Sequence, residues 1–450
     1  MCLLVVSLSV AIGTGGARAE DLAEVYALAR QHDPELRAAH AKRLAALEAL
    51  PQARALLLPS LTAGANISRE RFDDDNPAPG SNNPRYSTNQ TYSVSLAQPL
   101  FRYDRIVQYR QAGDRILQAE AEYAASEQQL ILRTAERYFD VLAAEDDVLL
   151  TEAQTKAIGR QLEQAKQRFE VGLSAITDVQ EAQGRYDQAV AEEIQARNNL
   201  ESARDALREI VGTYIEHHAR LAGDIELVRP DPESPDAWVE TAFSQNLSIT
   251  SAKAALEIAR HEIERKRAGH YPTVDMTAEF ARRDVNFGGI APLERNDASI
   301  GVQLALPLYQ GGLVRSRTRE AQHLFDEARE TLEDLRRATE RQTRDAYRGI
   351  INGISQVKAQ KQAVLSTRTA LQAAETGFEV GTRTIVQVLD SQREHLRAQR
   401  NYARARYDYL LNTLRLKQAA GTLSGEDVTA VNRWLSEDAK PTISTGDGQP

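Results

Sequence analysis

The chain has 450 residues, with 55 Lys and Arg against 64 Asp and Glu and a formal net charge of −9; a nucleic-acid binder usually carries the opposite sign. Two Trp and two Met argue against a large aromatic-rich core, while abundant Ala, Glu, Gln and Arg mark long helices. The single cysteine, Cys2, leaves no partner for a disulfide and no cysteine-based metal cluster.

Residues 1–19 have the form of a secretory signal, with an apolar run from Leu3 to Ile12 and a small-x-small site at Ala17-Arg18-Ala19. No basic stretch precedes Leu3, which points to a translation start placed too late. No other stretch approaches 18 apolar residues, so a membrane-spanning helix is not expected. An exported chain of this kind is soluble or forms a β-barrel, because only helices and closed barrels span lipid.

A helix is expected from Asp21 to about Leu57, then strands at about 60–70 and 90–101. The first alternates Leu61, Ala63, Ala65 and Ile67 with Thr62, Gly64, Asn66 and Ser68; the second alternates Tyr92, Val94 and Leu96 with Thr91, Ser93 and Ser95. A polar loop is expected from Phe72 to Gln90. From about Arg102 to Val171 there is no proline, and apolar or small residues step by four and three: Leu117, Ala121, Ala124, Gln128, Ile131, Ala135, Tyr138, Leu142. That is coiled-coil periodicity, and about 70 residues of helix would measure roughly 100 Å. A turn at about 171–177 leads to a returning helix.

The second half repeats this order. Pro235 to about Ala268 reads as helix, strands follow at about 272–283 and 297–309 with a polar loop from Asp284 to Asp297, and a second proline-free helix runs to a turn at about 380–386. The returning helix steps by sevens through Leu389, Leu396, Ala403 and Leu410. Phe169-Glu170-Val171-Gly172 recurs as Phe378-Glu379-Val380-Gly381, and the same register aligns Tyr138 with Tyr347, Ile176 with Ile385, Val179 with Val388, Gln183 with Gln392 and Gly212-Thr213 with Gly421-Thr422. The chain is therefore a duplication, too long in period for a solenoid. It divides into 20–234 and 235–435, with a polar tail at 436–450.

Segments of about ten residues with one apolar face suit a transmembrane barrel, although a soluble sandwich strand can alternate in the same way. Four such strands placed symmetrically in an exported chain favour the barrel. Aromatic Phe101 and Tyr309, after Pro99-Leu100 and Pro307-Leu308, would sit at its rim. Four strands cannot close a barrel, and open edges are not tolerated in lipid, so copies of the chain must pool their strands. The eight histidines show no metal-ligand spacing, and neither a phosphate-cradling loop nor a nucleophile elbow is present; no cofactor, metal or catalytic group is expected.

With the strands, the 98–101 corner and the segments 171–180 and 380–390, the chain resembles the TolC family of outer-membrane efflux and type I secretion proteins over nearly all its length. The resemblance implies a mainly α fold with a β-barrel portion: a homotrimer whose 12-stranded outer-membrane barrel continues into a periplasmic α-helical barrel. It implies an exit duct, gated at its periplasmic end, that docks with periplasmic adaptors and inner-membrane RND or ABC transporters to export small toxic compounds or unfolded proteins. A soluble periplasmic coiled-coil adaptor or scaffold is the alternative reading.

In this family the two tips, here Val171, Gly172, Leu173 and Val380, Gly381, Thr382, meet the adaptor. Two acidic rings close the entrance; Asp390 matches one, whereas Gln387 stands at the other, which would halve the ring charge. Arg383 matches an arginine that latches to a neighbouring coil at the positions of Thr177 and Asp178. An aromatic hydroxyl that supports this latch is missing here, because its position is Phe378.

Overall fold

The computed structural model describes residues 20–73, 75–76, 84–223, 225–287 and 293–436. The signal segment 1–19 and all but the first residue of the tail at 436–450 lie outside them.

The first half begins with α1 (Leu22–His32), α2 (Pro34–Leu47) and α3 (Ala49–Ala55), followed by β1 (Ser60–Phe72) and β2 (Arg85–Phe101). The long α4 (Tyr103–Glu170) and its return α5 (Ile176–Val211) lead to the short β3 (Arg220–Leu221). The second half follows with α6 (Pro235–Gln245), α7 (Leu247–Arg267), β4 (Thr273–Phe287), β5 (Leu293–Ala305), α8 (Leu313–Glu379), α9 (Ile385–Ala420), α10 (Gly425–Asn432) and β6 (Leu435–Ser436). Among the described residues no helix is long and apolar enough to cross a membrane.

Both helices expected ahead of the strands are broken at the same place in the repeat, and the first is broken again between Leu47 and Ala49. Asp33 and Asn246 both adopt extended backbone, at ψ 120° and 125°. Asp33 precedes Pro34, which disfavours helical backbone before it. Its carboxylate then accepts from the Leu36 amide at 2.8 Å and starts the next helix.

The fold divides into two compact units, the helices α2, α4 and α8 contributing to both. One holds the residues up to Ala39, Ala124–Leu247 and those from Arg336 on. Its core is built on α4 by Leu130, Ile131, Ala135, Tyr138, Phe139 and Leu142 and on α9 by Tyr407, Leu410, Leu411 and Leu414, all buried. The Tyr138 hydroxyl donates to the Ala219 carbonyl at 2.7 Å, which ties this core to the connector after α5. Gln128, expected in the apolar seam, instead donates to the Gly421 and Leu423 carbonyls, each at 3.0 Å.

The other unit, His40–Tyr123 with Ser248–Leu335, carries an antiparallel sheet in the order β1-β2-β4-β5. The register stacks Leu61, Leu96, Ala278 and Ile300 on one row and Ala63, Val94, Phe280 and Ala298 on the next. The opposite face stacks Thr62, Ser95, Glu279 and Ser299, then Asn66, Thr91, Arg283 and Arg295. One face is apolar and the other polar, as the alternation in sequence required. Leu117, expected in the buried helical seam, is exposed.

The strands extend beyond their expected outer ends. The ladder starts at Arg85 rather than near 90, runs on to Phe287, and resumes at Leu293 rather than near 297. In Ser87–Gln90 both faces are polar, so hydropathy alternation disappears while the backbone pairing continues. At the other end β5 stops at Ala305, short of 309; Pro307 has no N–H for a ladder. Among the described residues β1 and β5 each have a strand neighbour on one side only.

Candidate functional site

The two tips are built alike. At the end of α4 the Gly172 amide bonds to the Phe169 carbonyl at 2.9 Å and the Leu173 amide to the Arg168 carbonyl at 2.8 Å. At the end of α8 the Gly381 amide bonds to Phe378 at 3.1 Å and the Thr382 amide to Gly377 at 2.8 Å. These are the paired closing bonds of a helix that ends in a left-handed residue, and Gly172 and Gly381 have φ of 75° and 77°. Val171, Leu173 and Val380 project from the turns almost bare, at 69%, 77% and 69% exposure, and Thr382 beside them is exposed.

Behind the tips a small apolar cluster joins three helices: Ile158 of α4, Ala189 of α5, and Ile385 and Leu389 of α9, with Phe378 packed against them. The Arg168 guanidinium lies 4.8 Å over the Phe378 ring. A phenol at 378 could only add a hydroxyl to this packing; the ring already has a cationic partner.

Asp390 lies 3.5 Å from Arg185 of α5 and 3.5 Å from Arg393 one turn further along α9. Its charge is thus shared with two arginines before any other ligand is considered. Gln387 is engaged at the start of α9: its side-chain oxygen accepts from the Thr384 amide at 3.1 Å, while Thr384 Oγ1 accepts from the Gln387 amide at 3.4 Å. That reciprocal cap stabilises the helix start by roughly 1 kcal/mol.

Asp178 accepts from Ser174 Oγ at 2.7 Å, which closes the first turn of α5. Thr177 beside it is exposed. Arg383 makes no ion pair with Asp178 within the chain among the described residues; its side-chain stem instead covers Gly377, where an added Cβ would sit 2.9 Å from Arg383 Cγ. The structure therefore brings Phe378 and Asp390 into one cluster of helices and leaves Arg383 apart from Thr177 and Asp178.

A groove of about 730 Å³ runs beside the tips, lined by Arg160, Gln161, Arg168, Glu375, Phe378 and Gln392 among others. Two of the lining residues, Gln161 and Gln392, have side-chain oxygens that are buried without a hydrogen-bond partner among the described residues. Burial, and then Glu379 one turn on, raise the Glu375 pKa above its ordinary value. Sequence reasoning aligned Gln392 with Gln183 but did not nominate it, and it passed over Arg185. Neither shows its role until α4, α5, α8 and α9 are packed together. Among the described residues no group of His, Cys, Asp or Glu could hold a metal ion.

The sequence matches the family described as Outer membrane efflux protein over residues 25–213 and 238–422, one stretch in each repeat. It is 41% identical to Outer membrane protein TolC of Vibrio cholerae over 441 residues, covering 96% of this chain and 98% of that protein. It is 30% identical to the alkaline protease secretion protein AprF of Pseudomonas aeruginosa over 415 residues, covering 91% and 86%. Among solved structures, the Campylobacter jejuni CmeC outer membrane channel superposes with a TM-score of 0.76 at 16% identity, covering 96% of each chain.

Proposed function

This chain belongs to the outer membrane efflux protein family, and from that premise we propose that it is the outer-membrane exit duct of tripartite efflux and type I secretion systems. It resides in the outer membrane and carries small toxic compounds or unfolded proteins out of the cell. Its family is described as Outer membrane efflux protein and one relative as an alkaline protease secretion protein, which supports both cargo classes. Proteins of this type work with periplasmic adaptors and inner-membrane transporters.

The observation that carries the reading is the four-stranded sheet, with one apolar face and a free edge on each side. Four strands are too few to enclose a pore, and lipid does not accept open edges. Three copies would give twelve strands, a closed barrel with its apolar face to lipid. The helices α4 and α8, of 68 and 67 residues, would then reach roughly 100 Å into the periplasm. In this proposal residues 1–19 direct export, 20–234 and 235–435 are the two repeats, and 436–450 is a polar tail.

The tips at Val171–Leu173 and Val380–Thr382 are the adaptor-contacting ends in this reading. Asp390 and Gln387 line the constriction, and Arg383 latches to Thr177 and Asp178 of a neighbouring subunit rather than of its own. The test is extraction and reconstitution. The mature chain should require detergent, run on unboiled gels as a heat-sensitive trimer, and conduct ions in planar bilayers. Recovery as a soluble monomer without conductance would overturn the proposal.

A further inference from the structure

The chain already contains a copy of the seam it would need between subunits. The two hairpins are equivalent: Ser60 pairs with Ala97 at the start of one, and Thr273 with Ala305 at the start of the other. Ser60 therefore corresponds to Thr273, and Ala97 to Ala305. The following corners agree, since Pro99-Leu100-Phe101 falls on Pro307-Leu308-Tyr309. The junction between the hairpins is β2 against β4. Its equivalent one step around the ring is β5 against β1 of the next copy.

Resting on the ring assembly proposed above, we infer that the subunit seam has the register of the internal one. Val94 opposite Phe280 becomes Val302 opposite the partner subunit's Ile67. Leu96 opposite Ala278 becomes Leu304 opposite the partner subunit's Ala65, and Tyr92 opposite Arg282 becomes Ile300 opposite the partner subunit's Arg69.

The pairs match in chemistry: a leucine meets an alanine in both seams, two bulky apolar residues meet in both, and an arginine stands at the same row in both. Face parity agrees as well, because Val302 and Leu304 meet the partner subunit's Ile67 and the partner subunit's Ala65 on one face while Gln303 meets the partner subunit's Asn66 on the other. A shift by one residue would have set the lipid face of one strand against the lumen face of the next. Among the large apolar side chains of the sheet, the barest are on the two edge strands. Ile67, Ile300 and Val302 are 68%, 78% and 64% exposed, against 43% for Val94 in the covered seam.

Cysteine cross-linking reads the register directly. In a Cys2→Ser background, Val302→Cys with Ile67→Cys and, separately, Gln303→Cys with Asn66→Cys would be oxidised with copper–phenanthroline in the detergent-extracted assembly. Successive opposed pairs alternate between Cα separations of about 4.5 and 5.5 Å, so both lie within disulfide reach. The slipped pairs Val302→Cys with Arg69→Cys or with Ala65→Cys stand at roughly 7–8 Å and fall outside it. Within one chain β1 and β5 are separated by two strands, so no intrachain bond competes.

The expected result is a covalent trimer on boiled, non-reducing gels, about tenfold more abundant for the in-register pairs than for the slipped ones. Efficient cross-linking only at a slipped pair, or at none in a trimer that remains intact, would overturn the register while leaving the duct standing. A chain that neither cross-links nor forms a trimer would overturn both.

Discussion

Arg185→Ala distinguishes two roles for Asp390. The Arg185–Asp390 pair joins α5 to α9 at 3.5 Å with side chains 29% and 44% exposed. An ion pair this open contributes about 0.5 kcal/mol, within the range for exposed pairs. Three copies in a ring would contribute about 1.5 kcal/mol to the closed state, close to a tenfold change in the closed-to-open ratio. The variant should therefore raise resting conductance in planar bilayers up to about tenfold at low salt and less at 1 M, where screening acts within about 3 Å. It should also strengthen block by divalent cations, because each Asp390 loses a neighbouring positive charge. Arg393 belongs to the same helix as Asp390, so Arg393→Ala should strengthen block without opening the channel. Asp390→Asn should open the channel and abolish block. If Arg185→Ala changed neither conductance nor block, or if Arg393→Ala opened the channel equally, the pair would not be a strut of the closed state.

Gly381→Ala should cost only the left-handed penalty of roughly 1–2 kcal/mol, since nothing lies near its missing Cβ. Gly421→Ala should lower the thermal midpoint further, because its Cβ would meet the Gln245 carbonyl carbon at 2.6 Å and Asn246 Cα at 2.8 Å; equal midpoints would refute the contact. On the sheet, Ile300→Lys should lose the heat-stable trimer, at roughly 2–4 kcal/mol near mid-membrane, while Ser299→Lys on the other face should keep it; gels without boiling compare the two. Burial raises the Asp146 pKa above 3.8, although Tyr407 donates to it at 2.8 Å and Arg220 and Arg406 pull it down. A raised folded-state value means that this group's contribution to stability is complete below its unfolded value and is lost as pH rises through the folded one. Asp146→Asn should therefore raise the midpoint at neutral pH and flatten the pH dependence across that window; unchanged slopes in paired melts would exclude it.

The duplication, the apolar strand faces and the glycine turns were legible because each follows from local periodicity or from backbone that only glycine adopts readily. Leu61, Val94 and Ile300 announce their face by alternation, and Gly172 and Gly381 mark the turns. What was not legible depends on packing between distant segments. Leu117 continues the seam pattern of α4, yet its neighbours there leave it exposed. Arg185 gives no sign in sequence of its partner Asp390, which lies on the other return helix. The polar stretch of β2 gives no hydropathy signal: Ser87 and Thr88 pair with Glu70 and Arg69 of β1, and the Arg69 guanidinium lies 4.9 Å over the Tyr86 ring.

The two halves keep one architecture but differ in charge where the return helices meet. In the register that aligns Val179 with Val388, Arg185 falls on Glu394 and Asp390 on Glu181. The attractive contact inside the chain would thus be repeated between subunits as Glu394 against the partner subunit's Glu181, two exposed carboxylates. Like charges so placed oppose closure, so the closed ring would have three reinforced seams and three weakened ones, and opening would begin at the weakened set. A charge swap tests this. Glu394→Arg, or Glu181→Arg, should create the missing pair and lower resting conductance, most strongly at low salt, whereas the two together should restore repulsion and the parental conductance. Three identical traces would mean that α9 and the neighbouring α5 do not meet at these positions, and that the subunit seam departs from the internal one at the tips.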